Sequence, residues 1–274
     1  MMQKLVTVIM PCFNQLKYTK MCFESIVKYT NSPCELIVID NGSRDRTRQY
    51  LQNKMQTRKE LGNPLVTLKV VNNKNNRGVS AAINQGIALA RGQYVCYINN
   101  DTIVSHSWLK NLISCAESDS TIGIVGCTTN LVTNVRRDFP DVEGLMNIDE
   151  IRRTGLLLSL INNGLYDNAS FVHGFCMFIK RKVIKTIGLF DESYFPCAGE
   201  DIDYSYRALN AGFRLVNARD VFVFHFWSKA TTSRHFNNAY KNLEDIKMRA
   251  QKIFISKWGN AGRAFMESNQ ILRK

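Results

Sequence analysis

Four short apolar runs, each ending in a cluster of polar turn residues, constrain the fold of this chain more than any other feature of its sequence. The runs cover residues 5–10, 35–40, 66–71 and 94–98. Each run is nearly continuous, which is typical of a strand buried on both faces of a parallel sheet. Segments of helical period lie between them, at 17–29, 44–56 and 79–90. This alternation predicts a doubly wound, mostly parallel α/β sheet flanked by helices.

The second half of the chain has a less regular pattern. It predicts a helix-containing insertion at 131–168, a strand at 171–179, a helix at 201–211 and a further strand at 221–226. Residues 236–257 have the period of one helix. Its apolar face is formed by Leu243, Ile246, Ala250, Ile253 and Phe254. We therefore predict one domain at 1–232, divided at residue 101, followed by a basic helical tail at 233–274.

The 274-residue chain carries a net charge of +13, which is concentrated at its two ends. Residues 1–130 contribute +7, residues 131–228 contribute −1 and residues 229–274 contribute +7. Such a charge favours a nucleic-acid-binding protein, but no helix-turn-helix, aromatic RNA-binding or zinc pattern accompanies it. We expect no nucleic-acid partner. The basic tail predicts either contact with an anionic membrane surface or packing on the domain or at a homodimer contact.

Composition excludes several other classes of protein. An apolar fraction of 45% is ordinary for a packed core, so a disordered or collagen-like chain is excluded. No apolar run approaches the roughly 18 residues needed to cross a bilayer, so we expect neither a membrane span nor a signal peptide. The eight cysteines include no CxxC pair. We interpret them as reduced structural thiols in a cytoplasmic protein.

The polar clusters that end the four runs meet at one edge of the predicted sheet, because the carboxyl ends of parallel strands lie together. They cover residues 11–14, 40–43, 72–78 and 99–101, and each contains at least one Asn. Turn chemistry alone accounts for any one of them. Four such clusters at one edge predict a ligand-binding rim.

Three further constellations have side chains suited to chemistry. Asp101 follows a buried strand, where a carboxylate either binds a divalent cation or caps a turn. Glu200, Asp201 and Asp203 place three acids within four residues. Such crowding raises the pKa of a carboxylate towards the range of a general base, although N-capping needs only one acid. His225 ends an apolar strand, and its imidazole is either a metal ligand or a packed core side chain.

Taken in chain order, these motifs resemble the family 2 glycosyltransferases of GT-A fold, especially their rhamnosyltransferase-like members. The resemblance covers residues 4–232. It rests on the motifs at 11–14, 40–43, 76–78, 84–86, 99–101, 174, 188–192, 200–203 and 225.

The resemblance implies a nucleotide-sugar donor of UDP, dTDP or GDP type and a glycan or lipid-linked acceptor. It implies inverting transfer in cell-surface polysaccharide synthesis, with the enzyme in the cytoplasm or at the inner face of the membrane. Residues 1–101 become the nucleotide-binding half, and 102–232 the acceptor and catalytic half. Asp201 corresponds to the catalytic base of the family, with Glu200 beside it. Asp101 and His225 correspond to its ligands for Mn²⁺ or Mg²⁺.

The same resemblance implies a larger set of substrate-binding residues. The positions expected to line the nucleotide and its sugar are Pro11, Phe13, Asn14, Asp40, Asn41, Arg77, Gly78, Asn84, Asn99 and Asn100. The positions expected near the acceptor are His173, Gly174 and Phe175. Apart from the resemblance, the hydroxyl of Ser228 and the cation of Lys229, which follow His225, are suited to contact phosphate.

One position departs from the family pattern, because Asn99 stands where the metal motif usually begins with Asp. An amide there either hydrogen-bonds a ribose hydroxyl or binds the cation through its carbonyl. A nucleotidyltransferase is disfavoured because residues 11–14 contain no Gly and no basic residue. A non-catalytic nucleotide-sugar-binding protein is the remaining alternative.

Overall fold

The computed structural model of the chain describes residues 4–57, 61–130, 148–227 and 243–271. Helices flank both faces of a single sheet. Its strands are β1 (Val6–Cys12), β2 (Cys34–Asp40), β3 (Val66–Asn72), β4 (Tyr94–Ile98), β5 (Thr102–Val104), β6 (Ile122–Thr128), β7 (Tyr166–Ala169), β8 (Cys176–Lys180) and β9 (Arg214–His225). The helices are α1 (Leu16–Tyr29), α2 (Thr47–Gln56), α3 (Val79–Leu89), α4 (Trp108–Glu117), α5 (Ile148–Ile161), α6 (Arg181–Ile187), α7 (Glu200–Asn210) and α8 (Leu243–Ser268), with a 3-10 helix at Glu192–Tyr194.

The sheet is mixed. Its first four strands lie in the order β3-β2-β1-β4 and pair in parallel. Beyond β4, strand β8 is antiparallel to both β4 and β6. Strand β9 runs parallel to β6 and pairs antiparallel with the short strands β5 and β7. The predicted α/β class is confirmed, and the antiparallel pairs of β5, β7 and β8 make the sheet mixed where we expected it to be mostly parallel.

Alternate residues of the central strands supply the core on the two faces of the sheet. Val8 and Met10 of β1 pack with α1, α2 and α4 on one face, whereas Ile9 packs with α3 on the other. Strands β1, β2 and β4 are therefore buried on both sides, which explains their continuous apolar sequence. Strands β2 and β3 are added on one side of β1, whereas β4 lies on its other side. Where the strand order changes sides in this way, a ligand crevice forms at the carboxyl ends of the strands.

The predicted elements of the first half are confirmed, with shifts at their ends. Strand β1 continues to Cys12, so Pro11 lies in the strand and pairs with Ile39 instead of beginning a turn. Helix α2 begins at Thr47, three residues later than predicted. Residues 44 and 45 donate their N–H groups to Asn14 Oδ1 (2.7 and 3.3 Å), which holds them in a turn.

The strand predicted at 171–179 begins only at Cys176. The backbone N–H groups of Val172 and Gly174 donate to side chains of α7, Ser205 Oγ (3.1 Å) and Asp201 Oδ2 (2.8 Å). Because these donors bond to a helix and not to a neighbouring strand, residues 171–175 form a loop. Of the insertion predicted at 131–168, residues 131–147 lie outside the described residues, and the remainder contains α5 and β7.

The C-terminal helix α8 extends eleven residues beyond its predicted end at 257 and has a non-helical residue, Gly259, within it. Residues 236–242 of the prediction lie outside the described part of the chain. Ile246, Ala250 and Phe254 of the predicted apolar face are buried. Phe254, Trp258 and Phe265 surround the ring of Tyr206 on α7. The apolar face of α8 therefore packs on α7, which is the packing alternative for the tail.

Across the described ranges, no helix combines the length and the apolar character needed to cross a membrane. All eight cysteines are free thiols, and seven of them are buried.

Candidate active site

Asn41 organises the loop that follows β3. Its Nδ2 donates to Asn76 Oδ1 (2.8 Å) and to the Gly78 carbonyl (3.1 Å). Its Oδ1 accepts from Asn73 Nδ2 (3.0 Å) and from Arg77 N (3.1 Å). Both ends of the buried amide are thus used within the protein, so in this structure Asn41 shapes the edge of the sheet.

Asp40, the last residue of β2, has no exposed surface. Its Oδ1 accepts from Ser43 N (2.9 Å), and its Oδ2 accepts from Arg48 Nε (2.8 Å). A second guanidinium nitrogen of Arg48 donates to the Asn73 carbonyl (2.6 Å). The carboxylate is thereby paired and fixed beside the loop that Asn41 shapes. Arg48 lies on α2 and was not predicted to belong to the site.

Asn14 connects the ends of β1 and β2. Its backbone N–H donates to Ser43 Oγ (2.8 Å), and its φ of 56° is unusual for a residue with a side chain. Its Nδ2 is buried without a hydrogen-bond partner. Pro11 and Phe13 beside it are half-buried. This turn is therefore held by side-chain hydrogen bonds, and the NH₂ group of Asn14 is left without a partner.

The start of α3 lies against the segment that precedes α7. Gly78 has a φ of 84°, and a Cβ there would lie 2.8 Å from Phe195 Cδ2. The Asn84 amide donates to the Phe190 carbonyl (2.8 Å) and to Glu192 Oε1 (3.0 Å), and it accepts from Phe190 N (2.9 Å). The Asn84 amide is therefore engaged in holding this segment. Among the predicted residues here, Arg77 alone has an exposed side chain.

Asp101 and His225 meet at the junction of β4, β5 and β9. His225 Nε2 lies 3.0 Å from Asp101 Oδ1, and both residues are about 5% exposed. Asn130 exchanges hydrogen bonds with the backbone of His225 (2.9 and 3.2 Å). The imidazole packs against both the Phe175 and the Trp227 rings, with centroids 5.1 and 4.4 Å away. The structure thus brings together the two predicted metal ligands.

The chemistry of this pair fits a divalent cation shared with a substrate. Two ligands about 2.1 Å from an octahedral ion lie roughly 3 Å apart when they are adjacent. The described residues contain no cluster of three or more His, Cys, Asp or Glu side chains that could hold a metal. One carboxylate and one imidazole leave positions for phosphate oxygens and water, as is usual for Mg²⁺ in phosphate sites. His225 Nδ1 is buried without a partner.

Asn99 and Asn100 have different surroundings. Asn100 is buried, and its Nδ2 donates to Thr19 Oγ1 on α1 (2.9 Å). Asn99 is half-buried, and its Oδ1 accepts from the Tyr97 hydroxyl (2.9 Å). Asn100 therefore connects the metal motif to α1, and Asn99 lies at the open edge.

Glu200 and Asp201 begin α7 and differ in their hydrogen bonds. Asp201 Oδ2 accepts from Gly174 N (2.8 Å), and its Oδ1 accepts from Ile202 N (2.9 Å). Glu200 is 5% exposed, and its Oε2 has no partner. Burial, with the adjacent charge of Asp201, raises the pKa of Glu200 to about 8. At neutral pH the pair therefore combines a protonated Glu200 with a carboxylate that two N–H groups orient.

The segment Gly174–Phe175 joins the acid pair to the Asp101–His225 pair. Gly174 N–H holds Asp201, while the Phe175 carbonyl accepts from Asn99 N (2.9 Å) and the Phe175 ring stacks on His225. A Cβ at Gly174 would lie 3.1 Å from Asp201 Cβ, so a glycine permits this approach. Neighbouring His173 is exposed, and its ring contacts Phe171. Ser228 and Lys229 lie outside the described residues.

Sequence reasoning missed four residues that shape this site: Arg48, Tyr97, Asn130 and Trp227. Tyr97 precedes Asn99 by two positions, and side chains at that spacing share one face of a strand. That spacing was a usable signal. Arg48 and Asn130 lack a local signal, because their partners lie on other elements.

Comparison with known proteins agrees with the α/β fold. The family model for Glycosyl transferase family 2 matches residues 7–188, and a model described as Glycosyltransferase (GlcNAc) matches residues 155–269. Glycosyltransferase GlyG of Streptococcus pneumoniae is 27% identical over 125 residues, covering 46% of this chain and 39% of that protein. Glycosyltransferase AglE of Haloferax volcanii is 23% identical over 223 residues, covering 80% of this chain and 66% of that protein.

Solved structures share the architecture at low sequence identity. A mannosyltransferase of Pyrobaculum calidifontis, in complex with GDP-Man and Mn²⁺, aligns with a TM-score of 0.63 at 21% identity, over 95% of this chain and 65% of that one. S. aureus TarS in complex with UDP-GlcNAc aligns with a TM-score of 0.60 at 16% identity, over 93% and 66%. The chain therefore spans less than two thirds of the length of these relatives. The family model covers more than half of the chain, and the chain belongs to the family 2 glycosyltransferases.

Proposed function

We propose that the chain is a metal-dependent inverting glycosyltransferase in which Asp201 is the general base. The observation that carries this proposal is the Gly174–Phe175 segment. Its two residues contact Asp201 on one side and both Asn99 and His225 on the other. A proton acceptor and a diphosphate-binding pair that contact the same segment suit a single displacement at a sugar carbon.

In the proposed reaction Asp201 removes the proton of an acceptor hydroxyl as that oxygen attacks the anomeric carbon. The bond from that carbon to the diphosphate oxygen breaks on the opposite face, so the anomeric configuration inverts. Glu200 stays protonated beside Asp201, which avoids a second negative charge at the base. Asp101 and His225 would hold Mn²⁺ or Mg²⁺, which supplies positive charge for the departing diphosphate.

The proposed donor is a UDP, dTDP or GDP sugar, and the proposed acceptor is a hydroxyl of a glycan or lipid-linked glycan. Transfer of this kind suits the synthesis of cell-surface polysaccharide on the cytoplasmic side. The proposed subgroup is the rhamnosyltransferase-like one. The mannosyltransferase with GDP-Man and Mn²⁺ and TarS with UDP-GlcNAc support a nucleotide-sugar donor and a divalent cation.

Membrane attachment through α8 has narrower support. An interfacial helix inserts its apolar face into the lipid boundary. The apolar face of α8 packs on α7, so attraction between its cations and anionic lipid is the remaining basis for this proposal. A homodimer contact is the other proposed use of its exposed face.

A ligand screen with a matched variant tests the proposed function. UDP, dTDP, GDP and their sugars are added with and without Mn²⁺ or Mg²⁺, and the thermal midpoint is measured. We expect one nucleotide class to stabilise the chain in a metal-dependent manner. Asp201→Asn should then keep nucleotide binding and lose at least 100-fold in turnover of the matching sugar.

Two results would contradict the proposal. Stabilisation by no nucleotide would exclude a donor site. If the wild-type chain and Asp201→Asn bind the nucleotide equally well and neither turns over the matching sugar, the non-catalytic nucleotide-sugar-binding alternative is favoured. As a control, Asp167→Asn removes a carboxylate that is half exposed on the surface, and it should leave binding and turnover unchanged.

A further inference from the structure

Tyr97 places a phenol group inside the candidate site. Its ring is buried in β4, two residues before Asn99. Its Cε1 would lie 3.1 Å from a Cβ at Gly174, which places the ring against the segment that holds Asp201. Its hydroxyl reaches Asn99 Oδ1 at 2.9 Å. Tyr97 therefore contacts both the start of the metal motif and the support of the base.

The hydrogen bond of Tyr97 determines which end of the Asn99 amide is left for a ligand. A tyrosine hydroxyl is protonated at neutral pH and donates to the amide oxygen. Asn99 Nδ2 has no hydrogen-bond partner among the described residues, and Asn99 is half-buried. The NH₂ group is thus the available end of the side chain, two residues from Asp101.

We propose that Tyr97 is a positioning residue that turns the NH₂ group of Asn99 towards an oxygen atom of the donor substrate. The inference rests on the proposed function, because it needs a nucleotide-sugar at this edge. It assigns Asn99 as a hydrogen-bond donor and not as a carbonyl ligand of the cation. The oxygen belongs either to a phosphate or to a ribose hydroxyl.

The alternative assignment predicts the opposite response to a carboxylate at position 99. A carboxylate has no N–H to donate and adds a negative charge near Asp101. If Asn99 donates to the nucleotide, Asn99→Asp weakens nucleotide binding. If Asn99 binds the cation through its carbonyl, Asn99→Asp provides a better ligand and strengthens the binding of Mn²⁺.

The first experiment is calorimetric titration of the nucleoside diphosphate selected by the screen, with and without Mn²⁺. We expect Asn99→Asp and Asn99→Ala each to weaken metal-free binding about tenfold, since a hydrogen bond to the nucleotide is lost. Tighter Mn²⁺ binding by Asn99→Asp with unchanged metal-free affinity would overturn the assignment. Parallel titration of the nucleoside without phosphates distinguishes the two oxygens. If Asn99 contacts the ribose, its substitution weakens the binding of both ligands. If it contacts a phosphate, its substitution weakens the binding of the diphosphate alone.

The second experiment separates positioning from general stability by a double-mutant cycle. Tyr97→Phe should weaken nucleotide binding about fivefold in the wild-type chain and have no further effect in Asn99→Ala. Effects that multiply in the double variant would mean that Tyr97 does not act through Asn99, and would overturn the inference. Tyr94→Phe is the matched control, since it removes a hydroxyl from the same strand where the partners are Lys4 and Glu117.

The wild-type titration distinguishes failure of this inference from failure of the proposed function. No nucleotide binding by the wild-type chain overturns the proposed function and the inference together. Wild-type binding with multiplying effects in the cycle overturns the inference alone.

Discussion

The two ends of the candidate site treat their polar groups differently. At the nucleotide edge, formed by Asn14, Asp40, Asn41 and the loop at 73–78, side chains bond one another and the backbone, with Asn14 Nδ2 as an exception. At the catalytic end, formed by Glu200, Asp201, His225 and Trp227, three buried polar atoms have no partner: Glu200 Oε2, His225 Nδ1 and Trp227 Nε1.

This contrast indicates a division between shape and chemistry. Satisfied hydrogen bonds make a rigid edge that receives a nucleotide without rearrangement. Buried groups without partners lower the stability of the fold, and such groups concentrate where a protein reacts or binds. We therefore expect substitutions at the nucleotide edge to cost stability and some substitutions at the catalytic end to increase it.

Glu200→Gln tests the catalytic end and has the largest expected effect. In the folded chain the pKa of Glu200 is raised to about 8 from an ordinary value of 4.5. The folded state therefore holds the proton more tightly, and stability is lost as the pH rises from about 5 towards 8. Between pH 5 and pH 8 the wild-type chain should therefore lose about 3 kcal/mol of unfolding free energy that Glu200→Gln does not lose. Urea unfolding at pH 5 and pH 8 measures it.

The exposed residue Glu267 provides the control, because Glu267→Gln should leave the pH dependence of unfolding unchanged. If the wild-type chain and Glu200→Gln lose stability in parallel between these pH values, Glu200 is ionised in the fold. The contrast between the two ends would then be wrong.

Asp40→Asn tests the nucleotide edge. Removing the charge leaves the Arg48 guanidinium beside a neutral amide in a buried position. We expect a loss of about 2 kcal/mol in the free energy of unfolding, less than for a fully buried pair because the Arg48 side chain is 37% exposed. Urea unfolding at pH 7 measures the loss. Asp167→Asn, which breaks a surface pair with Arg219, should have an effect close to zero. Equal effects would show that the edge has no special rigidity.

Gly174→Ala tests the connection between the two pairs of catalytic groups. An added Cβ would crowd Asp201 Cβ and Tyr97 Cε1, both at 3.1 Å. We expect a fall of about tenfold in kcat from displacement of the base, larger than any change in nucleotide affinity that follows from crowding of Tyr97. Steady-state kinetics with nucleotide titration measures both. Gly155→Ala on α5 crowds Ser105 in the loop after β5 and should reduce stability without this loss in kcat. An unchanged kcat in Gly174→Ala would mean that Gly174 does not position the base, Asp201.

Trp258→Phe tests whether the packing of α8 extends to the catalytic end. The indole N–H donates to Asp203 Oδ1 on α7 (2.9 Å), where Lys257 also pairs with the buried carboxylate. Losing this donor while keeping a ring should cost about 1 kcal/mol of unfolding free energy. Thermal and urea unfolding measure it, with exposed Lys252→Gln as the control. Equal stability of the two variants would mean that α8 contributes little to α7.

Local patterns predicted most of the fold in the first half, because its strands are buried on both faces and its helices have a clear period. They were less reliable at 171–175, where apolar residues suggested a strand. The N–H groups of that segment bond to Ser205 and Asp201 on α7. Partners so distant in sequence leave no local signal.

The candidate site was predictable in its residue types and less so in their functions. Asp101 and His225 were expected to lie together, and they do, across 124 positions of sequence. Asn41 and Asn84 were expected to line a nucleotide, whereas in this structure their amides hold neighbouring loops. The order of the motifs identifies the positions of the site, but the hydrogen-bond partners of each side chain determine which of its polar groups are available to a ligand.

The sequence by itself determined the alternation of strands and helices, the polar ends of the strands and the crowding of acids at the start of α7. These features depend on local periodicity and on neighbours within a few residues. Only the tertiary structure decided that the pKa of Glu200 is raised, that Gly174 holds Asp201 and that α8 packs on α7. Burial and hydrogen bonding are set by residues that meet through folding, so their effect on charge and orientation cannot be read from spacing alone.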